Sequence, residues 1–143
     1  MVISIIIQFC LLIVAIIALF ISKDELRTHK DKENSKLLSQ LNKRYVDNND
    51  VQAVVKYLRE IDPDDTMPTA YQVELFLRFF EELGVYLKTN SIGKTDVKVF
   101  FDYYFNQFET TPRGILLSEK INKEDKTWEY LNLYRTTMGY QKK

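Results

Sequence analysis

Apolar residues follow one another from residue 2 to residue 21, and among them only Ser4, Gln8 and Cys10 are even mildly polar. A helix of twenty residues rises about 30 Å, which is the thickness of the hydrocarbon core of a bilayer. The pattern therefore predicts a transmembrane anchor over residues 1–22, with residues 2–21 in contact with the lipid bilayer.

A cleaved signal peptide is the main alternative for this segment. It would need a basic start, a shorter apolar run and a small-x-small cleavage site. No Lys or Arg precedes the run here, and it ends in Leu-Phe-Ile-Ser at residues 19–22. We therefore expect an uncleaved anchor, with Cys10 as a small apolar residue of the span.

The next segment, residues 23–36, has polar side chains on every side of a helix, and Leu26 is its only large apolar residue. Such a segment suits a solvated stalk better than a core element. His29, the only histidine of the chain, lies in this stalk with no second histidine or cysteine near it, so it does not predict a metal site.

From residue 37 onward, apolar positions recur every three or four residues, which predicts five to six amphipathic helices in a domain spanning residues 37–143. Polar turns and caps separate the helices, and Asn49 or Asp50 is expected to cap the second one. The expected core-facing residues are, in helix order, Leu37, Leu38, Leu41 and Tyr45; Val51, Val54, Val55, Leu58 and Ile61; Val73, Phe76, Phe79, Phe80, Leu83 and Leu87; Val97, Phe100, Phe101, Tyr104, Phe105 and Phe108; Ile115, Leu116 and Ile121; and Trp128, Leu131, Tyr134 and Met138.

The third and fourth predicted helices carry most of the aromatic residues of the domain. A connection of about five residues makes them antiparallel neighbours, an αα-hairpin with an aromatic-rich core. No segment of the domain alternates as a strand does, so the predicted fold class is all-α: an N-terminal transmembrane helix followed by a compact helical bundle. The sequence leaves open whether the last two helices are one bent helix.

Charge sets the expected orientation of the anchor. No basic residue precedes the apolar run, whereas Lys23, Arg27, Lys30, Lys32 and Lys36 follow it closely. Because basic flanks stay in the cytoplasm, we expect the N-terminus outside and the domain in the cytoplasm, at a bacterial inner membrane. The domain contains no cysteine, which agrees with a reducing compartment.

The domain is also polarised in charge. Residues 45–82 contain three basic and nine acidic side chains, and residues 83–143 contain ten basic and seven acidic ones. The acidic part repels phosphate and the aromatic residues are spaced as core residues, so nucleic acid is not an expected partner. This distribution suits an unidentified protein partner better.

Motifs for catalysis and cofactor binding are missing from the sequence. The single histidine lies in the stalk, away from the domain, which argues against a Ser-His-Asp triad and a His-ligated zinc site. Four separated glycines cannot form a phosphate-binding loop. The acidic loop from Asp62 to Asp65 lacks the spacing and the glycine of a calcium-binding EF-hand. We expect no catalytic residue, no cofactor and no bound metal.

One cluster on the third helix combines Glu74, Arg78, Glu81 and Glu82, with Arg78 three or four residues from each carboxylate. The simplest interpretation is a set of ion pairs, each of which stabilises a helix by a few tenths of a kcal/mol. The alternative is a carboxylate site that acts as general acid and base or holds a metal, although the Glu-x-x-His motifs of a di-metal bundle are missing.

Four stretches carry a resemblance to a known family: LFLRFFEELGVYL at residues 75–87, Ile-Gly at 92–93, VFFDYY at 99–104 and WEYL at 128–131. With the anchor and the stalk, they make the chain resemble a family of uncharacterised bacterial single-pass membrane proteins with a cytoplasmic all-helical domain. The chain departs from that pattern at residues 106–108, Asn-Gln-Phe, where a tryptophan is expected. The resemblance implies architecture and no activity.

Three functions follow as hypotheses. The first is a membrane-tethered protein-interaction module, for example a phage-related or host-defence factor such as a superinfection-exclusion protein. The second is an accessory single-span subunit of a larger membrane complex, because Ser4, Gln8, Ala15 and Ala18 share one face of the span and would let a partner helix approach closely. The third is an enzyme that uses the carboxylates of the third helix.

Overall fold

The computed structural model describes residues 2–59, 66–121 and 128–140, with side chains from Ser4 onward. All regular elements in these ranges are α-helices, and no strand occurs among them, so the all-α prediction is confirmed. The helices are α1 (Val2–Asp47), α2 (Asn49–Leu58), α3 (Ala70–Lys88), α4 (Lys94–Phe100), α5 (Asp102–Thr110), α6 (Pro112–Glu119) and α7 (Glu129–Met138). The chain divides into two compact units, an N-terminal unit (Met1–Lys36) and a helical domain (Leu37–Lys143).

Helix α1 is uninterrupted, whereas the sequence predicted a span, a stalk and a new helix starting near Leu37. No Gly or Pro stands between Val2 and Asp47, and the stalk is rich in Lys, Glu and Arg, which are good helix formers. Nothing in these residues ends a helix before Asp47, which is the end that the sequence predicted. The stalk is therefore helical, and its side chains are almost all exposed.

The start of α2 lies one residue earlier than predicted. Asn48, not Asn49 or Asp50, is the N-cap: its side-chain oxygen accepts hydrogen bonds from the backbone N–H groups of Asp50 and Val51, at 3.0 and 3.1 Å. Asn48 has extended backbone angles, which an N-cap requires. The predicted core residues of α2 up to Leu58 are buried, and Ile61 lies outside the described residues.

Helices α3 and α6 begin at the caps that hydroxyl side chains provide. Thr69 and Gln72 form a capping box at the start of α3, each side chain bonded to the backbone N–H of the other residue. Thr111 accepts from the N–H of Gly114, with Pro112 at the first helical position as predicted. Both caps satisfy donors that the first helical turn leaves free.

Helix α3 is the central helix of the domain, as predicted, and packs against α2, α6 and α7. All six of its predicted core residues are buried. Three ring pairs join it to α5 and the residue before it: Phe76 with Phe108, Phe79 with Phe101 and Phe80 with Phe105, with centroid distances of 5.7, 5.3 and 4.8 Å. The aromatic-rich core is therefore confirmed.

The predicted fourth helix is two helices. Phe101 separates α4 from α5 with φ −128° and ψ −29°, outside the α-helical range. Val97, Phe101, Phe105 and Phe108 are buried, whereas Phe100, which the sequence placed in the core, is 50 % exposed. Because consecutive residues point about 100° apart on a helix, Phe100 and Phe101 cannot both lie at the centre of one buried face.

The backbone that lies closest to α3 belongs to α7, not to the helix that follows α3 in the chain. Gly84 permits this approach, because a Cβ atom at this position would overlap the carbonyl oxygen of Tyr130 and lie 3.3 Å from the Cβ of Tyr134. The sequence showed no sign of this contact, since a glycine inside a helix usually weakens it.

Helices α6 and α7 are separate elements, and the residues 122–127 between them lie outside the described part of the chain. Helix α7 ends, as predicted, at Gly139, whose φ of 93° is left-handed. On α6 the buried residue is Leu117, whereas Ile115 and Leu116, which the sequence placed in the core, are exposed.

Candidate functional site

The predicted cluster on α3 contains ion pairs, one within the helix and one that reaches α1. Arg78 donates from Nε to Oε1 of Glu74 at 3.0 Å, on an exposed part of the surface. Glu82 accepts two hydrogen bonds from Arg44 of α1, 2.9 Å from Nη1 to Oε1 and 2.7 Å from Nη2 to Oε2. Glu81 is half-buried on the same helix.

The carboxylate of Glu82 is held in its charged form. Arg44 binds both of its oxygens, and the Tyr86 hydroxyl donates to Oε1 at 3.1 Å. The hydrogen bond from Arg44 is the main cause that lowers the pKa of Glu82, while partial burial opposes it. Burial and then the charge of Glu82 raise the pKa of Tyr86, so the phenol stays protonated as a donor.

A groove of about 400 Å³ runs beside this ion pair, between the end of α1 and the middle of α3. It is lined by Arg44, Asp47, Asn48, Val51, Leu75, Arg78, Phe79 and Glu82. The groove is open to solvent, unlike the concave sites that bury most of a small ligand. Charged side chains of both signs line it, together with the apolar side chains of Val51, Leu75 and Phe79.

An acid–base role would need a carboxyl group whose pKa lies near the working pH. Glu82 has the opposite property, a lowered pKa and oxygens occupied by Arg44 and Tyr86. For metal binding, no group of three or more His, Cys, Asp or Glu side chains is found in the described part of the chain. His29 lies on the exposed stalk with Nδ1 3.6 Å from Glu33, and the loop from Asp62 to Asp65 lies outside the described residues.

The predicted small and polar face of the span lies on α1. Ser4, Gln8, Ala15 and Ala18 are all exposed, and at 100° per residue they fall within a sector of about 80°. Cys10 is exposed too and lies outside this sector. Other apolar residues of α1 are equally exposed, so the structure places the four residues on one face without a helix packed against it among the described residues.

Sequence reasoning missed a buried ion pair between α5 and α7. Glu109, whose side chain is only 5 % exposed, accepts from Arg135 Nε at 2.8 Å and from Nη2 at 2.7 Å. Nearby, the buried Tyr134 hydroxyl donates to Asp102 at 2.9 Å. The available signal was the position of Glu109, which follows Phe108 and stands four residues after Phe105, on the apolar side of α5.

No protein-family model, no curated protein and no solved structure matches the chain. The resemblance to bacterial single-pass membrane proteins therefore stays a prediction from the sequence.

Proposed function

We propose that the chain is a single-pass membrane protein whose cytoplasmic helical domain binds a protein partner. The observation that carries the proposal is the first part of α1, where eighteen consecutive residues have a mean hydropathy of 3.0 and none of them is buried. A helix of this length and composition is able to span a membrane. In water it would expose far more contiguous apolar surface than soluble monomers tolerate.

The flanks of the helix support the orientation. Basic residues begin at Lys23 and continue through the exposed stalk, and none precedes the apolar run. By the positive-inside rule, these flanks favour a helical domain on the cytoplasmic side. Anchoring confines the domain to the membrane surface, so that even a weak contact with another membrane protein becomes effective.

The geometry of the charged cluster supports binding over catalysis. Glu82 is fixed by Arg44 and Tyr86 in an open groove, with a pKa that disfavours proton transfer at neutral pH. Such a fixed pair of charges offers directional contacts to a partner. The hypothesis of a carboxylate enzyme on α3 therefore has less support than a binding surface.

An accessory subunit of a larger membrane complex is the second candidate. The observation that favours it is the exposed sector of Ser4, Gln8, Ala15 and Ala18, because small side chains allow a second transmembrane helix to approach closely. In this case the stable contact lies within the bilayer and the domain has a supporting role.

Affinity purification from mild detergent, followed by mass spectrometry, distinguishes the two candidates. The binding module predicts partners that are substoichiometric or conditional, and an accessory subunit predicts a stoichiometric complex. The matched variant Ala15→Leu with Ala18→Leu fills the small-residue face: it should leave the partners of a binding module in place and release those of an accessory subunit. A chain recovered without partners would contradict both candidates.

A phage-related or host-defence role is the specific form of the first candidate. Expression of the chain in a sensitive bacterium should then lower the plating efficiency of a related phage, and a variant without residues 2–21 should not protect. Unchanged plating across a phage panel would contradict this form and leave the general proposal in place.

A further inference from the structure

Gln8 carries the only side-chain amide of the apolar run, residues 2–21. At 1.5 Å per residue it lies about 9 Å along the helix from residue 2, the nearer end of the run. That depth is inside the hydrocarbon core of a bilayer, where no water satisfies a polar group. No side chain in the described part of the chain hydrogen-bonds this amide. A span that stays alone in the membrane would therefore leave the amide without a partner, which is costly.

The residues in line with Gln8 form a seam with the spacing of a coiled coil. The positions of the seam are Ser4, Gln8, Leu11, Ala15 and Ala18. They are separated by four, three, four and three residues, the alternation of the a and d positions of a heptad. Of the five residues in the run that are not large and apolar, only Cys10 lies off this seam. A seam takes two positions in seven, so this concentration predicts a packing surface for a second helix.

We propose that α1 pairs in the membrane with α1 of a second copy of the chain, with the two seams in contact and the two Gln8 amides hydrogen-bonded to each other. The inference rests on the proposed function, because it requires α1 to span a bilayer. Small side chains along the seam let the two backbones approach closely, and paired transmembrane helices commonly cross at the shallow angle of a coiled coil. A polar residue at one position of such a seam fixes the register of the pair.

A second copy suits this seam better than an unlike helix does. All copies of the chain insert in the same orientation, so two paired spans are parallel and their Gln8 side chains lie at the same depth. A carboxamide donates through its NH₂ group and accepts through its oxygen, so two identical amides satisfy each other. A different membrane protein would have to place a hydrogen-bonding group at that same depth.

The pairing ends where the apolar run ends. Continued at the same spacing, the seam reaches Ser22 and then, in the stalk, Glu25, His29, Lys32 and Lys36. Identical charges would face each other there in a parallel pair and oppose contact. The contact therefore belongs to the membrane part of α1.

Disulfide cross-linking of the full chain in its native membranes tests the pairing. With Cys10→Ser as the background, Ala15→Cys places a thiol on the seam, and Ile13→Cys places one on the opposite side of the helix at nearly the same depth. We expect oxidation with copper phenanthroline to link Ala15→Cys into a dimer and to give at least fivefold less dimer from Ile13→Cys. The unmodified chain, whose Cys10 lies off the seam, should give as little dimer as Ile13→Cys.

Gln8→Leu separates the role of the amide from that of the small residues. It makes the span more apolar, so it should keep the chain in the membrane, and it should lower the dimer yield of Ala15→Cys at least threefold. Gln8→Asn keeps an amide at the same position and should retain most of the dimer.

Equal dimer from both cysteine positions, no dimer from either, or a dimer that Gln8→Leu leaves unchanged would overturn the inference. A disulfide from Ala15→Cys to a different protein would also overturn it and would favour the accessory subunit instead. In all these cases the chain is still in the membrane pellet, and the proposed function stands. Recovery of the chain in the soluble fraction would contradict the proposed function itself.

Discussion

Gly84 is the residue on which the close contact between α3 and α7 depends. An alanine in the interior of a helix normally stabilises it by about 1 kcal/mol relative to glycine. At this position the added Cβ would overlap the carbonyl oxygen of Tyr130. Whether Gly84→Ala raises or lowers the free energy of unfolding therefore tests the packing of α3 against α7.

We expect Gly84→Ala to lower the free energy of unfolding of the domain by roughly 1–3 kcal/mol, the usual effect of overpacking a core. Urea unfolding of the full chain in lipid nanodiscs, followed by the fluorescence of Trp128, the only tryptophan, measures the change. A more stable Gly84→Ala variant would contradict the contact between α3 and α7.

The Arg44–Glu82 pair should make the stability of the domain depend on pH under acidic conditions. Because the pKa of Glu82 is lower in the folded domain than in the unfolded chain, the pair contributes stability that is complete above the ordinary Glu pKa of about 4.3. That contribution is lost as the pH falls from there through the lowered pKa. Glu82→Gln should remove this part of the acid dependence.

Arg44→Gln is the matched control for this prediction, because it removes the other half of the same pair. It should flatten the same pH range, and the double variant should add nothing further to the effect of Glu82→Gln. Unfolding curves between pH 3 and pH 7 give the comparison. An unchanged acid dependence in Glu82→Gln would show that the pair is not formed in solution.

Spacing along the chain explains which parts of the candidate site were predictable. Glu74 and Arg78 are four residues apart on one helix, and this distance alone predicts their ion pair. Glu82 and Arg44 are 38 residues apart and meet only because α1 and α3 pack together. A contact of this kind depends on tertiary structure, which no local pattern encodes.

At the scale of the elements, caps and periodicity predicted most helices of the domain. The core side of α3 follows its apolar spacing because burial on several sides leaves little choice of rotation. The buried side of α4 and α5 could not be predicted in the same way. The consecutive residues Phe100 and Phe101 allow two rotations of the helix about its axis, each of which buries one of the two rings. Tertiary packing against Phe79 of α3 and Tyr45 of α1 determines that Phe101 is buried and Phe100 exposed.

The N-cap of α2 provides the prediction at this scale. Asn48→Ala removes the acceptor for two backbone N–H groups and should lower the free energy of unfolding by about 1 kcal/mol. Asn49→Ala, one residue later and inside the first turn, is the control and should change it far less. Equal effects of the two substitutions, by the same urea titration, would place the cap elsewhere.

At the scale of the whole molecule, composition averages conceal two regions of very different composition. The first 22 residues hold no charge and the remaining 121 hold all 20 basic and 20 acidic side chains. Charge begins at Lys23, whereas the two compact units of the structure divide after Lys36, within a continuous helix. The continuity was missed because a polar helix without a buried face carries no periodic signal.

If α1 anchors the chain in a membrane, two aspartates in the middle of its apolar part should release the chain. Leu12→Asp with Ile16→Asp places two charges near the middle of the span, at a cost of roughly 2.5–3.5 kcal/mol each, while every remaining Leu or Ile offsets only about 0.3–0.6 kcal/mol. We expect this variant to leave the membrane pellet on alkaline extraction. Leu26→Asp, in the stalk, should stay in the pellet with the unmodified chain.

The central claim is that the helical domain faces the cytoplasm on a membrane anchor, and the labelling of one introduced cysteine tests it most directly. Thr95→Cys is exposed on α4, and Cys10→Ser removes the only native thiol. A membrane-impermeant maleimide should leave Thr95→Cys unmodified in intact spheroplasts and modify it fully after lysis, with the chain in the membrane pellet. Modification in intact spheroplasts, or recovery of the chain in the soluble fraction, would contradict the account.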